Sequence, residues 1–384
     1  MVSHRVEAVS PLPDGCYPNF TTAEGSNALH ALTTGAGNTG IGWYTLFLNT
    51  IGAFNTALGG GALAINNGNS DTAVGAGALL LNANSGRNTA TGTDALVYTG
   101  MGVPVADLFN GGLGAFSLFN NIDGFSNNAM GESVLVLNIH GASNTAVGDL
   151  ALESNDYIGN GTANFNTAVG AQALQTNRDG NSNNVIGYAA LGVNVSGAMT
   201  GSFNQAMGVF TLANNVDGAS NIAIGDTAFG DNVHGSFNTV VGDLAGSGVE
   251  GSDNVYIGTT SGLPGGKSED GTIRIGDPNY VSACFVAGIS SVSVTGSPVV
   301  VNADGQLGVA PAGSPLSANE LLKQRHLVQQ LKATTEKETA TIALQEAEIE
   351  AVAANLREQA DEIRKVSAQL ELSQSAQQTV SNDD

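Results

Sequence analysis

A short repeat is the feature of this sequence that most restricts its fold. Fourteen copies of the pattern Asn-Thr-Ala-Val-Gly, complete or degenerate, align on their closing glycine. Successive glycines lie 16 to 18 residues apart, except at three places where the distance is 21 or 22 residues. A fixed period of this length indicates stacked copies of one structural unit. The closing glycines are Gly42, Gly59, Gly75, Gly92, Gly114, Gly131, Gly148, Gly170, Gly187, Gly208, Gly225, Gly242, Gly258 and Gly276.

The residues between the glycines indicate strands and corners. An Ala-Leu pair ends four residues after most closing glycines, as in Ala62-Leu63 and Ala173-Leu174. Seven residues after the glycine an Asn often opens an Asn-x-x-Gly turn, such as Asn121 to Gly124. These are turn residues, because both tolerate left-handed backbone. We therefore predict two short strands and two corners per unit, stacked about 4.8 Å apart as a parallel β-solenoid, which gives about 65 Å for fourteen units.

The strand residues also predict self-association. Side chains alternate along a strand, so Thr and Val of the repeat share one face while Ala and Gly share the other. Both faces are apolar, which predicts that one fills the solenoid and the other contacts a partner. We expect neighbouring chains to approach along the Ala/Gly face, with Ala168, Val169, Leu174 and their equivalents holding the assembly together. The asparagines that begin each unit are expected to form a stacked ladder that satisfies backbone groups.

Composition excludes several classes of protein. The 12 basic residues against 34 acidic ones give a net charge of −22, which argues against nucleic-acid binding. Hydrophobic residues reach 42% although aromatic residues are only 5%, so small side chains must form the core. The chain lacks an apolar run of about 18 residues, so we expect no membrane insertion, and its first ten residues lack a signal-peptide core, so a signal peptide is either absent or already removed. The two cysteines, Cys16 and Cys284, are expected to be thiols.

The sequence divides into five regions. Residues 1–35 are expected to cap the solenoid, and residues 36–276 to form it, with about 14 repeats of 17 residues. Residues 277–316 lose the repeat but keep β segments, including the turn from Asn302 to Gly305, and are predicted to form a β neck. Residues 317–374 carry a heptad pattern and are predicted to form a coiled-coil stalk compatible with three strands, before a frayed tail at 375–384. The apolar heptad positions include Leu321, Val328, Ile342, Ile349, Leu356, Ile363 and Leu370.

Enzymatic motifs are absent from the sequence. The five histidines are scattered, with His140 and His234 at a turn position that holds aspartate elsewhere, and neither a Gly-x-Ser-x-Gly nor a His-Glu-x-x-His pattern occurs. Gly35 to Gly40 and Gly246 to Gly251 match a dinucleotide fingerprint in form but open no helix within a βαβ unit. We therefore expect no enzymatic activity and no catalytic, cofactor-binding or metal-binding residues. An ice-binding threonine array also fits poorly, because the threonines share their face with the aliphatic position.

Three insertions are the candidates for ligand contact. They account for the longer repeats and span Val103 to Phe109, Asp156 to Phe165 and Val195 to Phe203. All three leave the unit at its second turn, so they should emerge along one edge and, in an oligomer, be displayed several times. Repeated loops suit weak multivalent binding. The alternative interpretation is that solenoid corners simply tolerate insertions.

The order of repeat, neck and coiled coil resembles the head, neck and stalk of trimeric autotransporter adhesins of the YadA-like family. The resemblance implies a left-handed parallel β-roll, a parallel homotrimer, and attachment to cells or surfaces through an unknown receptor from an extracellular or cell-surface position. The chain departs from that family in its 17-residue unit, which is longer than the usual head repeat. It also lacks the four amphipathic strands of the family's membrane anchor at its end.

A second resemblance supports an alternative function. The segment from Gly271 to Gly308 is similar to the region that follows such repeats in phage tail fibres and related fibrous proteins. It implies a receptor-binding rod of the same trimeric architecture that attaches to a different surface.

Overall fold

The computed structural model describes residues 18–102, 106–192, 199–260, 267–277, 281, 299–301, 307–309 and 318–380. The chain forms two compact units, Met1–Cys284 and Phe285–Asp384. No helix in the described ranges combines the length and the apolarity that crossing a bilayer requires. Both cysteines lie outside the described residues.

The first unit is built on one parallel sheet of fifteen three-residue strands, which confirms the predicted parallel β-solenoid. Consecutive turns pair in register, so that Ala146 lies beside Ala168 and Val147 beside Val169. The sheet begins one turn before the predicted start at residue 36, because Thr22–Glu24 followed by Gly25 is a further degenerate copy. The strands are β1 (Thr22–Glu24), β2 (Thr39–Ile41), β3 (Thr56–Leu58), β4 (Thr72–Val74), β6 (Thr89–Thr91), β8 (Gly111–Leu113), β9 (Asn128–Met130), β10 (Thr145–Val147), β11 (Thr167–Val169), β12 (Asn184–Ile186), β13 (Gln205–Met207), β14 (Ile222–Ile224), β15 (Thr239–Val241), β17 (Val255–Ile257) and β19 (Ile273–Ile275).

Two short parallel pairs lie beside the long sheet. Strand β5 (Ser85–Gly86) pairs with β7 (Ala106–Asp107), which is the returning arm of the first insertion. Strand β16 (Val249–Glu250) pairs with β18 (Lys267–Ser268). A 3-10 turn, Pro18–Phe20, precedes β1.

The Ala face of the sheet forms the interior of the roll, and the expectation that it contacts neighbouring chains is wrong. Ala57, Ala146 and Ala168 are fully buried against leucines from the opposite side of each turn. The leucines, such as Leu152 and Leu174, fill most of the narrow interior and leave space for a methyl group on the sheet side. The aliphatic and threonine positions therefore point outward.

The second segment of each turn is not a strand, contrary to the prediction of two strands per unit. Its backbone alternates between right- and left-handed residues, as at Leu150 (φ 60°) and Leu152 (φ 51°). It still bonds to the neighbouring turns, since the Leu152 N–H donates to the Ala173 carbonyl at 3.0 Å. Helical dihedrals advance the chain less per residue than extended ones, which shortens this side of the turn. The Ala-Leu pattern alone is compatible with either conformation.

The predicted asparagine ladder is confirmed at the corner before each strand. The N–H of Asn144 donates to Oδ1 of Asn127 at 3.0 Å, and the N–H of Asn166 donates to Oδ1 of Asn144 at 2.9 Å. These side chains are buried in the thirteen turns from β2 to β17 of the long sheet, and Asp71 occupies the position in one of them. The members are Asn38, Asn55, Asp71, Asn88, Asn110, Asn127, Asn144, Asn166, Asn183, Asn204, Asn221, Asn238 and Asn254.

A second ladder of buried asparagines runs parallel to the first, at the other side of the corner. Nδ2 of Asn138 donates to Oδ1 of Asn121 and to the Gly141 carbonyl, each at 2.9 Å. The same carbonyl accepts a bond of 2.8 Å from Nδ2 of Asn127 in the first ladder. Both ladders thus converge on one corner carbonyl per turn. The second ladder comprises Asn49, Asn66, Asn82, Asn121, Asn138, Asn155, Asn177, Asn215 and Asn232.

The closing glycine of each repeat is required by backbone conformation and by space. Gly170 has φ +133°, and a Cβ placed there would lie 2.5 Å from the carbonyl oxygen of Gly187 in the next turn. An L side chain would meet both obstacles. This explains why the position is occupied by glycine throughout the roll.

The second unit contains a hairpin and a long helix. Strands β20 (Val299–Val301) and β21 (Leu307–Val309) pair antiparallel, while the predicted turn at 302–305 lies outside the described residues. Helix α1 spans Ala318–Val380 and, at 63 residues, is about 95 Å long. It continues past the predicted end at residue 374. Its apolar heptad residues, including Ile349 and Leu356, are exposed in the single chain.

The first ladder gives a stability prediction. Replacing Asn144→Ala leaves the Asn166 N–H without its acceptor and removes the 3.1 Å bond to the Ala163 carbonyl. Two buried polar groups lose partners, so the free energy of unfolding should fall by about 2–4 kcal/mol in urea denaturation. The neighbouring Thr145→Ala, on the outward face, should change it by less than about 0.5 kcal/mol. Equal effects of the two variants would contradict a structural role for the ladder.

Candidate functional site

The outward face of the long sheet, which we call the outer face, carries an exposed apolar column. This first column holds the residue that precedes each closing glycine, which is aliphatic except at Thr91. These side chains are exposed by a third to a half, with Val169 at 36% and Met130 at 51%. A second column of Thr, Asn and Gln lies two residues earlier, at the start of each strand. The exposed aliphatic residues include Leu58, Leu113, Met130, Val169, Ile186, Met207, Ile224, Val241 and Ile257.

A third column, at the residue before each ladder asparagine, adds phenylalanines to the same corner. Phe54, Phe109, Phe165, Phe203 and Phe237 are 50 to 69% exposed and all have positive φ. A left-handed backbone conformation destabilises a bulky residue by about 1 kcal/mol, and an exposed ring does not gain the favourable free energy of burial. Other turns place serine in this column with the same φ, at Ser126, Ser143, Ser182 and Ser220. The fold therefore does not need phenylalanine here.

The described parts of the three insertions return to the roll at the same corner, and the second also leaves from it. The second insertion is described throughout, and Nδ2 of Asn155 bonds to the Ala163 carbonyl where it returns. The first returns through β7, and the third returns at Met199, which bridges to Asn177. Residues 103–105 and 193–198 lie outside the described residues. Phe109, Phe165 and Phe203 are the last residues of the three insertions.

An open groove of about 370 Å³ lies between the first two insertions. Tyr98 and Met101 border it at the first insertion, and Tyr157 borders it at the second. Its floor is formed by Ile122, Leu137 and Ile139 from the two uninterrupted turns in between. Sequence analysis identified the insertions but missed this groove, because the floor residues belong to ordinary repeats. The groove is apolar, with Asn120 as a polar contributor.

The histidines do not form a catalytic or metal-binding cluster in the described residues. His140 contacts the carboxylate of Asp123 in the preceding turn, and its backbone N–H donates to Asp156. His234 makes the same contact with Asp217, at 2.7 Å. Both pairs occupy one corner column, where they join successive turns. This placement agrees with the sequence interpretation of these two histidines as turn residues.

A cluster of titratable residues that bond to one another closes the C-terminal end of the roll. Tyr256 replaces the inward alanine, and its hydroxyl donates to Glu269 at 2.7 Å. Arg274 donates to both carboxylate oxygens of Glu269. Burial raises the pKa of Tyr256, while the hydrogen bonds from Arg274 lower the pKa of Glu269. Gly246, in the position of the usual leucine, leaves room for the Tyr256 ring. The cluster thus covers the end of the apolar interior.

No family model matches the chain, and no curated protein is significantly similar to it.

The end cluster predicts an acid-dependent contribution to stability. Because the pKa of Glu269 is lowered in the folded chain, its stabilisation is present above the ordinary value of 4.5 and is lost as the pH falls through the folded value. Glu269→Gln should therefore reduce the free energy of unfolding by about 1–2 kcal/mol at pH 7 and by less at pH 3. Urea denaturation at both pH values measures this. Glu132→Gln, an exposed carboxylate elsewhere on the roll, serves as the control, and an equal pH dependence in both variants would contradict the role of Glu269.

Proposed function

We propose that this chain is a non-enzymatic, adhesin-like fibrous protein that assembles as a homotrimer and displays its roll on a coiled-coil stalk. The observation that carries the proposal is the outer face, where columns of exposed aliphatic and phenylalanine side chains run along the sheet. Contiguous apolar surface of this extent is typical of an interface. A second copy of the chain would bury matching columns, since the repeat spacing is the same in both.

The helix supports the same assembly. Nearly every described side chain of α1 is exposed, including Val328, Ile342, Ile349, Leu356 and Ile363, which share one heptad position with Thr335. A stripe at this spacing is buried when helices supercoil around each other. The parallel homotrimer, the left-handed roll and the cell-surface position are parts of the proposal that rest on the resemblance to trimeric autotransporter adhesins.

The proposed attachment function depends on presenting several copies of the insertions and the groove at once. Three copies would present each insertion and the groove between Tyr98 and Tyr157 three times, which raises the avidity of weak contacts. The receptor-binding rod of a phage tail fibre is the alternative, and the hairpin β20–β21 lies in the segment that carries that resemblance. Labelled protein that binds animal cells or matrix supports the adhesin, and binding to bacterial cells alone supports the tail fibre.

The first assembly test changes the outer face. Val169→Asp places a charge on a side chain that is exposed in the single chain, so the roll should fold with an unchanged circular dichroism spectrum. Buried in an interface, the charge should abolish assembly, which multi-angle light scattering measures as a fall to the monomer mass. Ile65→Asp, an exposed aliphatic residue on the opposite segment of the turn, is the control and should leave the mass unchanged. A folded oligomer of unchanged mass from Val169→Asp would refute the proposed interface.

The second assembly test separates the contributions of roll and stalk. A chain that ends at Ala312 should remain trimeric by light scattering if the outer face associates alone. In that background Phe165→Ser, a residue that the same column already accepts at Ser182, should weaken association at least tenfold without lowering thermal stability of the monomer. A monomeric truncated chain would show that the stalk alone drives assembly, and a monomeric full chain would refute the proposed trimer.

A further inference from the structure

Both asparagine ladders become irregular at one place, beneath the first insertion. Asp71 replaces an asparagine in the first ladder, Thr99 replaces one in the second, and Ser85 stands where most corners have glycine. Both Asp71 and Thr99 are fully buried, and the Thr99 hydroxyl lacks a hydrogen-bond partner within the described structure. The three substitutions lie in adjacent turns that support β5, the strand on which the first insertion returns.

If Asp71 is ionised, this corner has more hydrogen-bond acceptors than donors. In regular turns the first-ladder side chain donates through Nδ2 to the corner carbonyl, as Asn127 does to Gly141. Asp71 presents Oδ2 instead. Nδ2 of Asn82 lies 3.0 Å from Asp71 Oδ2, 3.0 Å from the Ser85 carbonyl and 3.1 Å from Oδ1 of Asn66. An amide nitrogen has two hydrogens, so these three acceptors compete for two donors.

A proton on Asp71 restores the regular pattern. Its hydroxyl can supply the donor that the asparagine Nδ2 supplies elsewhere, while Oδ1 still accepts from the Asn88 N–H at 2.9 Å. Burial raises the pKa of Asp71 from its ordinary value of 3.8 to about 7, so the group titrates near neutral pH. Within the described residues, the charged groups facing this corner are Asp107 on β7, which also raises the pKa, and Arg87, which pairs with Asp107 at 3.3 Å.

We propose that Asp71 is a pH-dependent switch for the first insertion: protonated, it completes the corner beneath β5 and holds the β5–β7 pair, and ionised, it releases that pair. Release follows from two effects. The carboxylate leaves the corner with one donor too few, and its charge repels Asp107, whose strand is attached by the short pairing with Ser85–Gly86. The switch would therefore hold or loosen the returning arm of the first insertion, Ala106–Asp107, as the pH rises towards neutrality.

The direction of the effect follows from proton linkage. Below pH 3.8 both folded and unfolded chains hold the proton, so this group adds no pH dependence. Between 3.8 and about 7 only the folded chain holds it, so stability falls as the pH rises, and above 7 the loss is complete. A pKa raised from 3.8 to about 7 corresponds to about a thousand-fold change in the equilibrium constant for opening.

Hydrogen–deuterium exchange of the full-length protein, corrected for the intrinsic pH dependence of exchange, tests the switch. Between pH 5.5 and pH 8.5, amides of 85–87 and 106–108 should lose at least tenfold protection, whereas those of 145–147 should keep theirs. Asp71→Asn should hold the protection high at both pH values. Asn127→Asp should transfer the pH dependence to the corner at 141–144.

Three results would overturn the proposal. Protection that changes with pH equally in Asp71→Asn would assign the effect to another group. A uniform loss of protection over all turns would show that Asp71 sets the stability of the whole roll and controls no local release. Protection that follows added sodium or calcium instead of pH would identify a buried cation site at this corner.

Discussion

The turn-to-turn pairing of buried asparagines is the interaction on which the rest of the roll depends. In the regular turns the corner carbonyl receives two amide donors, one from each ladder, in a region closed to water. A buried carbonyl without a partner would cost about 1–3 kcal/mol, and the cost would recur in every turn. The ladders also support the register, because each first-ladder oxygen accepts from the backbone N–H of its equivalent in the next turn, as Asn127 accepts from Asn144. The three-residue strands, which offer few backbone bonds of their own, stay aligned for this reason.

The narrow interior follows from that constraint and decides which surface is left for contact. With corners fixed, the space between the sheet and the opposite segment admits one leucine and one methyl group per turn, as at Leu174 and Ala168. Most of the larger aliphatic residues of the strands therefore lie on the outside, and Val185 and Val240 are the inward exceptions in the described strands. At the C-terminal end the large residue lies on the sheet side instead. Tyr256 points inward there, and Gly246 in the opposite segment has no side chain to occupy the space.

The sequence predicts the repeat architecture well and the identity of its faces poorly. Period, parallel stacking, the first ladder and the position of the insertions all follow from the spacing of Asn and Gly. Which of two apolar faces points inward depends on interior width, which a one-dimensional pattern does not contain, so the prediction that the Ala/Gly face contacts a partner is wrong. The left-handed residues of the second segment are equally hard to predict from the sequence, because leucine rarely adopts that conformation. The groove at Ile122 and Ile139 depends on two insertions separated by two turns.

The direction of the ladder bonds has a mechanical consequence. Each bond between turns lies along the axis of stacking, so a pull on the two ends of the roll loads the interfaces between turns in series. Every interface then carries the full force, and the first to fail is the weakest one. At Thr99 the second-ladder bond is missing, and at Asp71 a carboxylate takes the place of an amide donor. A roll pulled at its ends would thus yield at its weakest turn, and protonation of a buried carboxyl group such as Asp71 would change the force that its own turn withstands.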